Sequence, residues 1–173
     1  MPCALSAGYT IDCKDNAGGA KEIKIIEFNN VEEITVTAGV VTAVDNVTAK
    51  RWWSYKPARD TAFGKSTITS NQQNGTVFFA QEVSLAMNKM QTSLRTEVQA
   101  LAQNIVLIAV KDANGKYWLY GYRNGMEVSA GESGTGTAMG DRNGYVITFT
   151  GAEPELEMEI DEATWETLET PGT

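Results

Sequence analysis

Apolar residues in this chain fall mostly at every second position, and the exceptions are short unbroken runs bounded by turn-forming residues. Ile105-Val106-Leu107-Ile108-Ala109-Val110 is such a run: too short for an independent helix and rich in β-branched side chains, it predicts a central strand buried on both faces. Asp112-Ala113-Asn114-Gly115 follows, and Asn and Gly accept the positive φ angles of a tight hairpin. A two-residue Asn114–Gly115 turn places Val110 opposite Leu119 and Lys111 opposite Trp118. The returning strand, Lys116 to Tyr122, is dense in the aromatics that cross-strand pairs favour. Asn124-Gly125 predicts a further turn into Met126-Glu127-Val128. A Gly/Ser/Thr loop, Gly131 to Gly140, then leads through a type I turn at Asp141-Arg142-Asn143-Gly144 to Tyr145-Val146-Ile147-Thr148-Phe149, which closes an antiparallel meander.

Upstream, Lys21 to Phe28, Val31 to Thr37 and Val40 to Val44 predict three short strands, separated by Asn29-Asn30 and Ala38-Gly39. Residues 1–21 carry little pattern and end in Gly18-Gly19, as an N-terminal arm would. Arg51 to Lys56 predicts a strand that Pro57 confines to an edge. Residues 58–75 offer only Phe63 and Ile68 as large apolar side chains. Thr76 to Met87 alternates well, with Val77, Phe79, Val83, Leu85 and Met87 on one face and Thr76, Glu82 and Ser84 on the other. Together these segments predict a long projecting hairpin or loop arm over 50–76. Lys89 to Gln103 carries one apolar stripe (Met90, Leu94, Val98, Leu101), the mark of a helix packed on a sheet, with Asn88 and Gln91 as a capping box. Glu155 to Ile160 alternates strictly and predicts a strand with three glutamates on one face; Asp161 to Leu168 adds a short terminal helix. The fold class expected is mainly β: one domain over 1–173, an antiparallel sandwich or rolled barrel with a flanking helix.

Charge changes the picture at one end. The net charge is −8, yet the 14 Lys and Arg residues all lie at or before Arg142, where acids balance them. The excess is carried by Glu153, Glu155, Glu157, Glu159, Asp161, Glu162, Glu166 and Glu169, within an acidic C-terminal segment, 153–173. That balance disfavours a stable grip on DNA or on an anionic membrane. There is no histidine, which removes the commonest general base and metal ligand. No run approaches the length that spans a bilayer. Met1 to Ser6 lacks the charged and apolar regions of a secretory signal, so synthesis in a cytoplasm is expected. Cys3 and Cys13 read as reduced thiols, with a disulfide or paired metal ligands as the alternatives.

Three candidate sites deserve weighing. The Glu155/Glu157/Glu159 face has the residue types for cation binding or for paired-carboxylate hydrolysis, although a solvated strand face is the simpler account. A wall that repels phosphate is a third reading. Gly131 to Gly136 lacks the Gly-Lys-Ser/Thr that a phosphate loop requires. Trp52 and Trp53, beside Lys50, Arg51 and Lys56, present rings for stacking on bases or sugars, or for packing at an interface.

The stretch Lys116-Tyr117-Trp118-Leu119-Tyr120-Gly121 through Asn124-Gly125, then Gly134-Thr135-Gly136 and Gly140 to Tyr145, ending Thr148-Phe149-Thr150-Gly151, resembles tail-tube proteins of tailed bacteriophages. The order of elements agrees: short strands, a long arm, one helix, then β structure. The resemblance implies a non-enzymatic virion protein without metal or cofactor, made in the host cytoplasm and built into the tail. It implies hexameric rings stacked into a tube, other tail or capsid proteins as neighbours, no membrane partner, and DNA as non-sticking cargo in an acidic lumen. On this expectation Lys50, Arg51, Trp52, Trp53, Lys56, Arg59 and Lys65 form an assembly arm, mobile over 58–75 until a neighbouring copy's acidic surface orders it. Glu155, Glu157 and Glu159 face the lumen. The alternatives are a carbohydrate- or receptor-binding β-sandwich using Trp52, Trp53 and Tyr55 as a platform and, more distantly, a carboxylate-based hydrolase.

Overall fold

A computed structural model describes residues 7–10 and 14–172. Its strands are β1 (Ala20–Glu27), β2 (Val31–Thr37), β3 (Val40–Asn46), β4 (Trp53–Tyr55), β5 (Ala62–Asn71), β6 (Thr76–Asn88), β7 (Val106–Asp112), β8 (Tyr117–Tyr120), β9 (Glu127–Gly134), β10 (Gly144–Glu153) and β11 (Met158–Ile160). Helix α1 (Thr92–Leu101) follows β6, and a short α2 (Glu162–Thr167) follows β11. The strands form two sheets, one of seven in the order β2-β3-β11-β8-β7-β1-β4 and one of four in the order β5-β6-β10-β9. All pairings are antiparallel except β3 with β11. The mainly β sandwich with a flanking helix is therefore as expected.

Two apolar clusters hold it together, one on each face of the larger sheet. Between the sheets lie Ile23 and Ile25 of β1, Val83 and Leu85 of β6, Val106, Ile108 and Val110 of β7, and Ile147 and Phe149 of β10, with Leu101 of α1. Beneath the larger sheet lie Ile26, Leu107, Ala109, Tyr117, Leu119 and Ile160, covered by Trp52, Trp165 and Leu168. Strand β7 is thus buried on both faces, and the buried run begins at Val106; Ile105 is largely exposed. Asp161 caps α2 by accepting the Thr164 amide at 2.6 Å, and those Thr164 hydrogen bonds hold its carboxyl below the ordinary aspartate value. Ala38 and Gly39 turn β2 into β3 with φ of +52° and +84°.

Several local expectations are corrected. The β7–β8 register is shifted by one: Val110 faces Trp118 and Lys111 faces Tyr117. The loop has three residues, because the Asp112 side chain accepts the amides of Asn114 and Lys116, each at 2.8 Å, and so draws Ala113 into the turn. The Asn114 side chain in turn bonds Asn16 and the Ala17 amide, tying down the end of the N-terminal arm. Cys3 and Cys13 lie outside the described residues.

The meander is broken after β8: β8 pairs with β7 and β11, whereas β9 pairs with β10 in the other sheet. Residues 131–134, expected in a loop, extend β9. The crossing at 121–125 is built on buried polar groups. Gln81 Oε1 accepts the Gly121 amide at 2.8 Å, and the Glu153 carboxylate accepts the amides of Arg123 and Asn124 at 3.0 and 2.8 Å. Gly125 (φ +77°) has no room for a side chain, since a Cβ would meet Ile105 at 2.3 Å. Helix α1 starts later than its stripe suggested. Asn88 is held in the β6–β10 ladder opposite Gly144, so it cannot cap; Gln91 takes the N-cap position without a side-chain bond. Of the two forms expected for the arm, hairpin or loop, it is the hairpin: β5 pairs with β6 from Ala62–Leu85 to Asn71–Thr76, and of β5 only Ala62 is buried. Only Met158 to Ile160 of the predicted 155–160 strand is paired.

Burial raises the pKa of the Glu153 carboxyl above its ordinary value near 4.5, and the two amide hydrogen bonds only partly offset that. Protonation is therefore favoured more in the folded chain than in the unfolded one. The stability it contributes is fully present below pH 4.5 and is lost as pH rises through the folded-state value. Glu153→Gln leaves one of the two amides without an acceptor, so it is expected to lower overall stability while flattening this part of the profile. Urea midpoints measured from pH 4 to pH 7 for both proteins check this; an unchanged slope in the variant would contradict it.

Candidate functional site

The seven residues of the expected basic arm do not share one element. Lys50 and Arg51 precede edge strand β4, Trp53 opens it, and Lys56 and Arg59 follow it. Lys65 belongs to β5 in the other sheet, where it pairs with Glu82 at 3.1 Å. Trp52 and Trp53 point to opposite faces, as neighbours in extended chain must. Trp52 is 1% exposed in the lower core and donates its Nε1–H to Asn46 at 3.1 Å. Trp53 is 54% exposed and carries the Arg51 guanidinium 4.3 Å from its ring centroid. Tyr55 is half-buried and donates to Glu97 at 2.6 Å; burial, reinforced by that carboxylate, pushes its pKa up. A three-ring stacking platform is therefore not formed. In its place a groove of about 530 Å³ runs between β4, the chain before it and α1, with Lys50, Arg51, Trp53, Tyr55 and Asn104 on its walls.

The three glutamates are not a bare strand face either. Glu155, Glu157 and Glu159 are each half-buried, while Leu156 is 47% exposed. Glu157 accepts from Ser66 of β5, and Glu159 pairs with Lys116 at 2.6 Å. Glu157 faces a small recess of about 260 Å³ with Phe63, Trp118 and Tyr120. Burial first, then the charges of Glu157 and Asp112, raises the pKa of Tyr120. Tyr120 fits there because position 64 is glycine: a Cβ would stand 2.7 Å from its hydroxyl.

The broad acidic surface lies elsewhere, on the outer face of the four-stranded sheet. Alternation from the core-facing residues puts Glu82 of β6 and Glu127 and Glu132 of β9 on that face. Around them stand small side chains: Thr67, Ala80, Thr148, Thr150 and Ala152. A shallow concavity of about 580 Å³ crosses it from Lys65 to Glu127. The even-numbered positions of Thr76 to Asn88 carry the signal for β6, but β9 was hidden inside a presumed glycine-rich loop. Beyond the sandwich the β5–β6 hairpin continues to a tip with exposed Ile68, Val77 and Phe78.

Among the described residues no group of three or more His, Cys, Asp or Glu side chains is placed to hold a metal ion. No helix among them is long and apolar enough to cross a membrane. No family model matches the sequence, and no curated protein or solved structure matches the chain.

The two tryptophans give opposite expectations on truncation. Trp52→Ala empties a buried site and should cost about 3–5 kcal/mol of stability. Trp53→Ala should stay within about 0.5 kcal/mol, as exposed positions do. Chemical denaturation of both variants decides; equal losses would contradict the assignment.

Proposed function

We propose that the chain is a structural, non-catalytic subunit of a bacteriophage tail tube, assembling head to tail into rings that stack. The observation that carries this reading is the pair of open edges on the four-stranded sheet. Outer strands β5 and β9 run for 10 and 8 residues, contain no proline, and hold three charged residues between them (Lys65, Glu127 and Glu132). Long unprotected edges are what natural monomers avoid. Because the edges differ, β5 of one copy against β9 of the next makes a heterologous contact, which closes rings when the rotation allows. The resemblance to tail-tube proteins suggests rings of six.

In such a ring the outer face of the sheet becomes the inner wall. Its small hydroxyl and methyl side chains, with Glu82, Glu127 and Glu132 among them, suit a passage that repels DNA phosphates. This reading moves the lumen from Glu155, Glu157 and Glu159 to the strand face. The β5–β6 tip, with its exposed Ile68, Val77 and Phe78, suits contact with the next ring.

Electron microscopy and mass photometry of the purified protein test the reading. Rings and tubes are the expected result, and a strictly monomeric protein at every concentration tried would overturn it. Ile68→Ser with Val77→Ser should leave the denaturation midpoint within about 0.5 kcal/mol of wild type, since both positions are exposed. Rings of that variant should form without stacking. Tubes of normal length would remove the tip from the contact between rings.

A further inference from the structure

Four Asn-Gly pairs punctuate the chain, beginning at Asn74, Asn114, Asn124 and Asn143. In such a pair the glycine amide nitrogen can attack the asparagine carboxamide, because glycine has no side chain to obstruct the approach. Whether it does so depends on what holds those two groups, and three of the pairs are held. Asn114 is fixed at both ends of its carboxamide: Oδ1 accepts the Ala17 amide at 2.8 Å and Nδ2 donates to Asn16 at 2.7 Å. The Gly115 amide donates to the Asp112 carbonyl at 3.3 Å. Asn124 donates from Nδ2 to the Ala152 carbonyl at 2.7 Å, and the Gly125 amide donates to the Gly121 carbonyl at 2.9 Å. Asn143 accepts the Met90 amide on Oδ1 at 3.0 Å, and Gly144 is buried in the ladder between Asn88 and Gly134.

Asn74 and Gly75 are not held. They lie in the exposed loop 72–75 at the tip of the β5–β6 hairpin. Asn71 Oδ1 accepts the amides of Gln73 and Asn74, at 3.0 and 3.1 Å, and stops short of the Gly75 amide. Among the described residues, neither that amide nor the Asn74 carboxamide makes a hydrogen bond. Apart from its chain neighbours, no atom lies within 4 Å of the point where a side chain at 75 would begin. We propose that Asn74 is a modification site, converted spontaneously to aspartate and isoaspartate through a cyclic imide. The Gly75 nitrogen bonds to Asn74 Cγ, its proton passes to the departing group, and ammonia leaves. Water then opens the five-membered ring: cleavage at Cγ leaves aspartate, and cleavage at the main-chain carbonyl leaves isoaspartate. One water is consumed, one ammonia is released, and nothing is oxidised or reduced. A neutral carboxamide becomes a carboxylate at neutral pH. The new charge falls on the tip that carries exposed Ile68, Val77 and Phe78. The reaction needs only a free hairpin tip, so it does not rest on the tail-tube reading.

Peptide mapping by mass spectrometry tests it, on dilute, unassembled protein held in mildly alkaline buffer and sampled over time. Asn74 should be converted at least about tenfold faster than any other pair, since each of those must first open locally. The same chain in urea should convert all four pairs at comparable rates, which isolates the effect of the fold. Asn74→Gln should remove most of the conversion at this position, because the longer side chain must close a less favoured six-membered ring. Circular dichroism confirms that the variant is folded. Conversion at Asn114, Asn124 or Asn143 as fast as at Asn74 in the folded protein overturns the assignment. So does an Asn74 that stays intact in the folded protein while the chain in urea reacts. An undiminished rate in folded Asn74→Gln overturns the cyclic route.

Discussion

Burial of β7 on both faces is the constraint on which the rest of the structure depends. A strand whose every side chain is apolar from Val106 to Val110 needs a cover on each side of its sheet. The four-stranded sheet with α1 supplies one. The other is assembled from small pieces: Trp52, α2 and the chain to Leu168. Those pieces are fastened by polar contacts as well as by packing. Lys24, on the covered face of β1, donates to the Trp165 carbonyl at 2.8 Å, lies 4.4 Å from the Trp165 ring centroid, and pairs with Glu169 at 3.2 Å. A buried ammonium costs a great deal of solvation unless such partners replace water. The lysine is therefore satisfied only when the C-terminal segment is in place, which couples the last strand and helix to the first strand. Gly172 completes the closure, exchanging backbone hydrogen bonds with Ala49 and Lys50.

The same requirement explains the polar residues buried between the sheets. The chain must leave the larger sheet after β8 and enter the smaller one at β9, and its amides at 121, 123 and 124 lose their ladder partners on the way. Gln81 and Glu153, reaching in from adjacent strands of the smaller sheet, accept all three. A buried amide without a partner costs about 1–3 kcal/mol, so these two side chains make the crossing possible. Their placement ties β6 and β10 to a turn of the other sheet, and the sandwich is held by directed bonds as well as by apolar area.

How far the sequence reveals this depends on the range of the interaction that decides each feature. The central strand, the β2 limits and the terminal helix follow from local pattern, and all were legible. The β7–β8 register was misjudged because the Asp112 side chain competes for the turn amides, a bond that the Asn-Gly signal does not announce. The start of α1 was misjudged because the β6–β10 ladder claims Asn88. Strand β5 buries only Ala62 and shows little apolar alternation of its own, so its sequence left a hairpin and a loop arm equally open. Trp52 and Trp53 looked like a pair because sequence adjacency conceals that extended chain sends neighbours to opposite faces. The site was less legible than the fold: the seven residues of the basic arm are divided between the two sheets, and the glutamates at 155, 157 and 159 are half-buried, not one bare strand face.

The C-terminal acids dominate the charge count, yet several are spent within the subunit: Glu153 on backbone amides, Glu157 on Ser66, Glu159 on Lys116 and Glu169 on Lys24. Charge that is already paired contributes little field at a distance, whatever its sequence density. Sheet geometry sets other acids on open surfaces, Glu32, Glu33 and Asp45 at one edge and Glu82, Glu127 and Glu132 near another; among the described residues only Glu82 of these six has a basic partner. They come from segments that are unremarkable in composition and far apart along the chain. In a β protein the order of strands in the sheet decides which charges meet a partner, and a running count of charge along the sequence cannot stand in for it.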